Sequence, residues 1–211
     1  MARIPLWLKI TWSVWLLAWA PAYAMHYGAH AFLWFCDISN FALGVALWTG
    51  SRLLFSWQAV SVLLVQLVWC FDLASRLLFG VHPAGATYYM FDPAIPLPIR
   101  LLSLFHVAAA ALMIWALWKF GYDRRAFLFQ TATAAAVLPL SWLAGARENL
   151  NWTWGLFREN QAWMSPLAYL GLCMLAYPLV LFLPAHLLFA YVWPRRSTGR
   201  GPAPTPRGAS S

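Results

Sequence analysis

Charge is scarce in this chain of 211 residues: 9% are Asp, Glu, Lys or Arg, six are acidic, and 63% are hydrophobic. That balance excludes a soluble domain, which at this length could not bury so much apolar surface. Cysteine is equally thin. Cys36, Cys70 and Cys173 stand far apart without metal-type spacing. No disulfide framework or zinc knuckle can be read from them, and each is expected as a small buried apolar residue. No internal repeat marks the two inverted halves of a transporter. The formal net charge of +8 is spread through loops instead of forming a basic face with interleaved aromatics, which argues against a nucleic-acid partner.

What the chain has in quantity is long apolar runs. A spanning helix takes about 20 such residues, because the hydrocarbon layer is roughly 30 Å thick and a helix rises about 1.5 Å per residue. Six runs meet that length, at about Ile4 to Ala24, Ala31 to Thr49, Leu53 to Phe79, Arg100 to Phe120, Ala126 to Ala144 and Pro166 to Val192. They are continuous and do not alternate with polar residues, which selects helices over barrel strands. The expectation is therefore an all-α polytopic membrane bundle of six transmembrane helices over residues 1–194. A cytoplasmic tail at 195–211, rich in Gly, Pro, Ser and Arg, is expected to be disordered.

With the start in the cytosol, ten basic residues fall inside: Arg3, Lys9, Arg52, Lys119, Arg124, Arg125 and the tail's Arg195, Arg196, Arg200 and Arg207. Arg76, Arg100, Arg147 and Arg158 fall outside, and this bias predicts two cytoplasmic termini. Tryptophans agree, with Trp7, Trp12, Trp48, Trp57, Trp118 and Trp193 approximating an inner belt. Trp19, Trp34, Trp142, Trp152, Trp154 and Trp163 approximate an outer one. The first segment ends in the signal-like pattern Ala22, Tyr23, Ala24, yet its length favours an uncleaved anchor.

The outer half collects the groups that carry chemistry. Five of the six acidic residues and four of the five histidines belong there; Asp123 and His186 do not. On the second helix His30, Asp37 and Asn40 are expected on roughly one face beside Cys36. Asp37 would lie on the order of 10 Å below the surface, where a carboxylate must face the bundle interior. Asp72 and Arg76, four apart, are expected to pair. Arg100, Ser103 and His106 enter on the fourth helix, and Asp92 with Pro93 reads as the start of a short interfacial helix. Each has a plain structural alternative, from helix locking to loop solvation. His26 and His30 stand at metal-ligand spacing, with Asp37 and His106 to complete a zinc site; the weight of the residues is against it, so no metal or cofactor is expected. Asn151, Trp152 and Thr153 match a glycosylation sequon by three residues only.

The stretches FLWFCDISNF (32–41), YYMFDPAIPLPIRLLSLFHV (88–107), GYDRRAFLFQT (121–131) and ENLNWTWG (148–155) resemble a family of small bacterial multi-span proteins described only as membrane-associated. That resemblance implies a helical fold and the inner membrane, and no reaction. Six helices with Cys36 on the second and His106 on the fourth also resemble, in architecture, the androgen-induced family of membrane hydrolases and related six-span lipid acyltransferases. By that likeness Cys36 and His106 would be the catalytic pair, although a cysteine stands where those hydrolases use threonine.

The expected function is a lipid or amphiphile site at outer-leaflet depth. His106, Asp37 and Cys36 would be its catalytic groups, with Asp72, Arg76, Arg100 and Asn151 binding substrate for hydrolysis or acyl transfer. Membrane lipids are the expected partners. A non-enzymatic membrane subunit that docks a membrane protein through Tyr88 to Phe91 and Trp152 to Trp154 is the alternative, and a proton-coupled transporter ranks below both because the inner half has few ionisable residues.

Overall fold

The computed structural model describes residues 4–156 and 160–194; the expected tail, Arg3, Arg158 and Glu159 lie outside the described residues. Six helical segments succeed one another: α1 (Leu6–Tyr27), α2 (Phe35–Thr49), α3 (Arg52–Phe79), α4 (Leu97–Phe120), α5 (Ala126–Leu143) and α6 (Pro166–Val192). No strand occurs among the described residues. The last four are long and apolar enough to cross a membrane, so the chain has the make-up of a multi-pass membrane protein. Of the other two, α2 has 15 residues, which is about 22 Å of helix. The 22 residues of α1 are diluted by Lys9, two tyrosines and a row of tryptophans.

Side-chain placement is inverted relative to a soluble protein. Leu17, Leu78, Leu143 and Leu167 are each about 70% exposed, whereas Asn40, Gln58, Gln66 and Gln130 are at most 1% exposed. A hydrocarbon surrounding favours that arrangement, since it offers an outward leucine nothing to avoid and an outward amide no partner. The hub is α3, which packs on α2, α4, α5 and α6, while α1 rests on α2 and the start of α4. Gly44 lets α1 come close: a Cβ there would stand 2.7 Å from Leu16. Just above, the Trp12 Nε1–H donates to the Asn40 carbonyl at 3.0 Å.

Both of the longest helices contain a π turn, Ala59–Leu63 in α3 and Tyr177–Phe182 in α6. In α6 the widened turn houses Pro178, which lacks an N–H and would clash with a regular preceding turn. In α3 it adds one residue to the turn. Gln58 and Gln66, eight apart, then stand like residues seven apart on a regular helix, about 20° from a common line. Gly50 and Gly80, at φ 65 and 75°, end α2 and α3 in the left-handed conformation that glycine takes without strain.

Helix two begins four residues later than its apolar run predicts. Ala29–Leu33 form a 3-10 turn, and Trp34 is extended before the helix starts at Phe35. The cause is tertiary: the Asn151 side chain takes the Phe35 N–H at 3.1 Å and donates to the Leu33 carbonyl at 2.8 Å. Both groups would otherwise bond within a continued helix. His30 therefore leaves the face of Asp37 and pairs instead with Glu148 at 3.1 Å. It also leaves the helix of His26, which removes the four-residue ligand spacing; among the described residues no group of His, Cys, Asp or Glu is placed to hold a metal. The expected helix start at Asp92 is a turn, with Asp92 Oδ1 accepting from the Ala94 N–H at 2.9 Å, and α4 starts at Leu97.

At the opposite end Asp123, 6% exposed, gathers the basic residues. Its carboxylate accepts from Arg125 Nε and Nη2 at 3.1 and 2.9 Å and from Arg52 Nη2 at 3.3 Å, and its N–H donates to Ser56 Oγ at 2.9 Å. The Arg125 hydrogen bonds, outweighing desolvation, hold this carboxyl down at about 2, below the ordinary 3.8. A depressed carboxyl stabilises the fold above its unfolded value and loses that contribution as pH falls through the folded one. Asp123→Asn should therefore lower the thermal midpoint at pH 6, and the gap from the parent protein should close between about pH 4 and pH 2. A gap that stays constant over that range would show that the ion pairs contribute nothing.

Candidate functional site

The end of the bundle where α1, α3 and α5 finish and α2, α4 and α6 begin carries the long loops 80–96 and 144–165. Asp37 sits there in the first turn of α2, 1% exposed. The Cys36 thiol, 3.8 Å away, donates to its Oδ1, and the Tyr23 hydroxyl of α1 faces the same carboxyl. Oδ2 is buried and has no hydrogen-bond partner among the described residues. A buried oxygen without a donor costs about 1–3 kcal/mol, so this one is a position where a further donor would be welcome.

Around that carboxyl stand half-buried groups. Tyr23 and Tyr27 come from successive turns of α1, Cys36 from α2, and Tyr89 from the 3-10 turn Tyr88–Phe91. Their hydroxyl and thiol groups lie close enough to act electrostatically on one another and, for the two α1 tyrosines, on Asp37. Burial pushes the Tyr89 phenol well above its ordinary value, so it remains a neutral O–H. Its oxygen accepts from Trp69 Nε1 at 3.1 Å and meets Ser103. The result is a buried acid beneath a rim of three phenols and a thiol.

Several residues expected to bind substrate hold this rim in place. Asp72, fully buried, does not pair with Arg76. It accepts from the N–H groups of Ala84, Gly85 and Thr87 at 2.8, 3.1 and 2.9 Å, from Thr87 Oγ1 at 2.6 Å, and meets His82 Nδ1 at 3.3 Å. A carboxylate surrounded by backbone donors organises a loop, and this loop leads into Tyr89. Arg76 turns to the Gly80 carbonyl and lies 5.2 Å over the Phe91 ring. Arg100 donates from Nη1 to the Met90 carbonyl at 3.1 Å, leaving a buried Nε–H without an acceptor among the described residues. Both arginines thus brace the turn that carries Tyr89.

Asn151 is likewise committed to the chain. It is 2% exposed, and besides Leu33 and Phe35 its amide donates to Ser141 Oγ at 2.8 Å, while its carbonyl accepts from the Tyr177 hydroxyl at 2.6 Å. One residue thus ties α2, α5 and α6 together. The sequon that it begins is closed to a glycan by that burial. Asn149, Asn151 and Trp152 all have φ between 41 and 53°, a left-handed conformation that Asn tolerates and Trp rarely takes.

His106 lies beside the site without joining Cys36. Its ring stacks on Trp69 at 4.7 Å and on Phe105 at 4.2 Å, and Nδ1 lies 2.7 Å from the Ser103 carbonyl. A carbonyl only accepts, so Nδ1 carries the proton of that contact. The Ser103 carbonyl is reachable because α4 breaks into two turns at Ser103 and Leu104. Trp69 thereby links His106 to Tyr89.

Tyr23 and Tyr27 are not among the residues expected at the site, and Tyr89 is expected only as a loop aromatic. The spacing of four between the α1 tyrosines, at the end of an otherwise apolar helix, was a legible signal. Tyr89 had none, because only the loop held by Asp72 brings it in. No protein-family model, curated protein or solved structure matches this chain.

Proposed function

We propose that the chain is a six-span protein of the bacterial cytoplasmic membrane, with both termini in the cytoplasm, that binds an amphiphile at the Asp37 site. The observation that carries the reading is the Asp37 Oδ2, buried and without a hydrogen-bond partner among the described residues, under a rim of phenols and a thiol. A head group that bears hydroxyl or amine donors satisfies that oxygen, and the tyrosine faces line its path. Outward leucines and phenylalanines along the helices suit an acyl chain that stays in the bilayer. The reading stops at binding, because the expected Cys36–His106 pair is not formed: the Cys36 thiol donates to Asp37 and His106 keeps to the Ser103 carbonyl.

The experiment is mass spectrometry of lipid extracts from the purified protein and from Asp37→Asn and Tyr89→Phe variants with unchanged thermal midpoints. The parent protein should retain one amphiphile at near-stoichiometric amount, reduced about tenfold in Asp37→Asn, which corresponds to roughly 1.4 kcal/mol. Equal retention by all three proteins, or retention of bulk lipid only, would sink the reading.

A second reading, a proton-coupled transporter, is favoured by one observation. The buried amides of Asn40, Gln58 and Gln66 have neither side-chain nitrogen nor oxygen satisfied among the described residues, and the π turn aligns the two glutamines. Such groups suit bound water deep in the bundle. Reconstituted vesicles under a pH gradient distinguish the readings, since acidification should be abolished by Asp37→Asn and slowed by Gln66→Leu only if protons pass.

A further inference from the structure

At the opposite end of the bundle a cavity of about 570 Å³ opens between the starts of α3 and α5 and the end of α6. Its chemistry comes from Arg52, Arg124, Arg125, Asp123, Tyr122 and Trp193. It lies apart from the Asp37 site, at the other end of the helices.

The walls hold three guanidinium groups against one carboxylate. Asp123 engages Arg52 and Arg125, whereas Arg124 has no acidic partner among the described residues. The Arg52 Nε–H is buried and has no acceptor among them either. Tyr122 fixes the other wall: its N–H donates to the Trp193 carbonyl at 2.9 Å, and its hydroxyl meets His186 Nδ1 at 2.7 Å. Burial, with the Asp123 charge second, pushes the Tyr122 phenol up, so it is a neutral hydroxyl. The positive ends of the α3 and α5 dipoles point to the same region.

Aromatic and basic side chains mark this end as headgroup-depth. Trp118 meets Trp193 edge to face at 5.7 Å, and Lys119 lies 4.6 Å over Trp115. Trp with Lys or Arg is the combination that anchors helices at the lipid–water boundary. The volume is that of a small-ligand site, ample for a glycerophosphate head and too large for the fit of a bare halide.

We propose that this cavity binds the phosphate of an anionic phospholipid headgroup, with Arg124 and Arg52 as its hydrogen-bonding cations and Trp193 against the glycerol. Guanidinium groups recognise phosphate through two N–H groups at once. A zwitterionic headgroup gains less, because its own cation meets the net positive wall. Asp123 is the positioning residue: it holds Arg52 and Arg125 at the rim and leaves Arg124 to the ligand.

The test uses the full chain in a neutral detergent, stripped of lipid and then offered phosphatidylglycerol, phosphatidylcholine or inorganic phosphate, with native mass spectrometry and the thermal midpoint as readouts. Phosphatidylglycerol should be retained at least tenfold more tightly than phosphatidylcholine. Arg124→Gln, exposed and outside the ion pairs of the described residues, should remove that preference without changing the lipid-free midpoint. Arg147→Gln, exposed at the other end, should leave it intact. Equal retention of the two lipids, or a preference that survives Arg124→Gln, would overturn the proposal. If inorganic phosphate alone raises the midpoint by an Arg124-dependent amount and no lipid preference exists, the site takes the free ion and the lipid assignment falls.

Discussion

Asn151→Ala is expected to lower the unfolding free energy in detergent by on the order of 4 kcal/mol. The side chain fills three roles at once. Its removal orphans the Phe35 N–H, the Leu33 carbonyl and Ser141 Oγ, all at the junction of α2 and α5. Each lost buried partner costs about 1–3 kcal/mol. A left-handed backbone at φ 48° adds the strain that alanine bears less well than asparagine. Asn151→Gly separates the two contributions, because it relieves the backbone and still deletes every side-chain bond. The measurement is a thermal melt followed by a thiol-reactive dye with Cys36 and Cys70 changed to Ser in every protein compared, so that the dye reports Cys173 as it leaves the core. A midpoint within 2 °C or so of the parent for both variants would show that α2 does not depend on this residue for its start.

Asp72→Ala should act on a smaller region and more completely. Four hydrogen-bond donors and His82 converge on that carboxylate, so its loss leaves the 80–87 segment without its anchor. Amide exchange at Ala84, Gly85 and Thr87 should accelerate on the order of 100-fold or more, equivalent to about 2.7 kcal/mol of local stability. Tyr89 should also drift from Trp69 and Ser103, weakening the rim around Asp37. Arg76→Gln serves as the contrast. Since Arg76 does not pair with Asp72, it should leave those three amides protected, and acceleration as large as that of Asp72→Ala would restore the ion pair that its helical spacing suggested.

Much of this was legible in the chain. The helices could be placed to within a few residues because burial in hydrocarbon demands unbroken apolar length, a property that linear sequence carries directly. The clustering of Asp37, Asp72, Arg76, Arg100 and His106 at one end was also legible, since alternate helices must reverse direction. Which of them face one another was not. Asp72 and Arg76 stand one turn apart on α3, a spacing that favours a pair on an isolated helix, yet backbone N–H groups from a folded-back loop compete better for the carboxylate. Cys36 and Asp37 are neighbours in the chain, whereas their phenol neighbours come from α1 and from the turn Tyr88–Phe91.

By itself, then, the sequence determined an all-helical, apolar-surfaced chain with its acids and histidines gathered at one end, because composition and apolar run length answer to the solvent. Tertiary structure alone decided where α2 starts, what Asp72 and Asn151 hold, and that a basic cavity sits at the far end. Each of those outcomes depends on a polar side chain satisfying backbone groups remote in the chain. Asn151 reaches Phe35 across 116 residues, and periodicity carries no signal over such a distance.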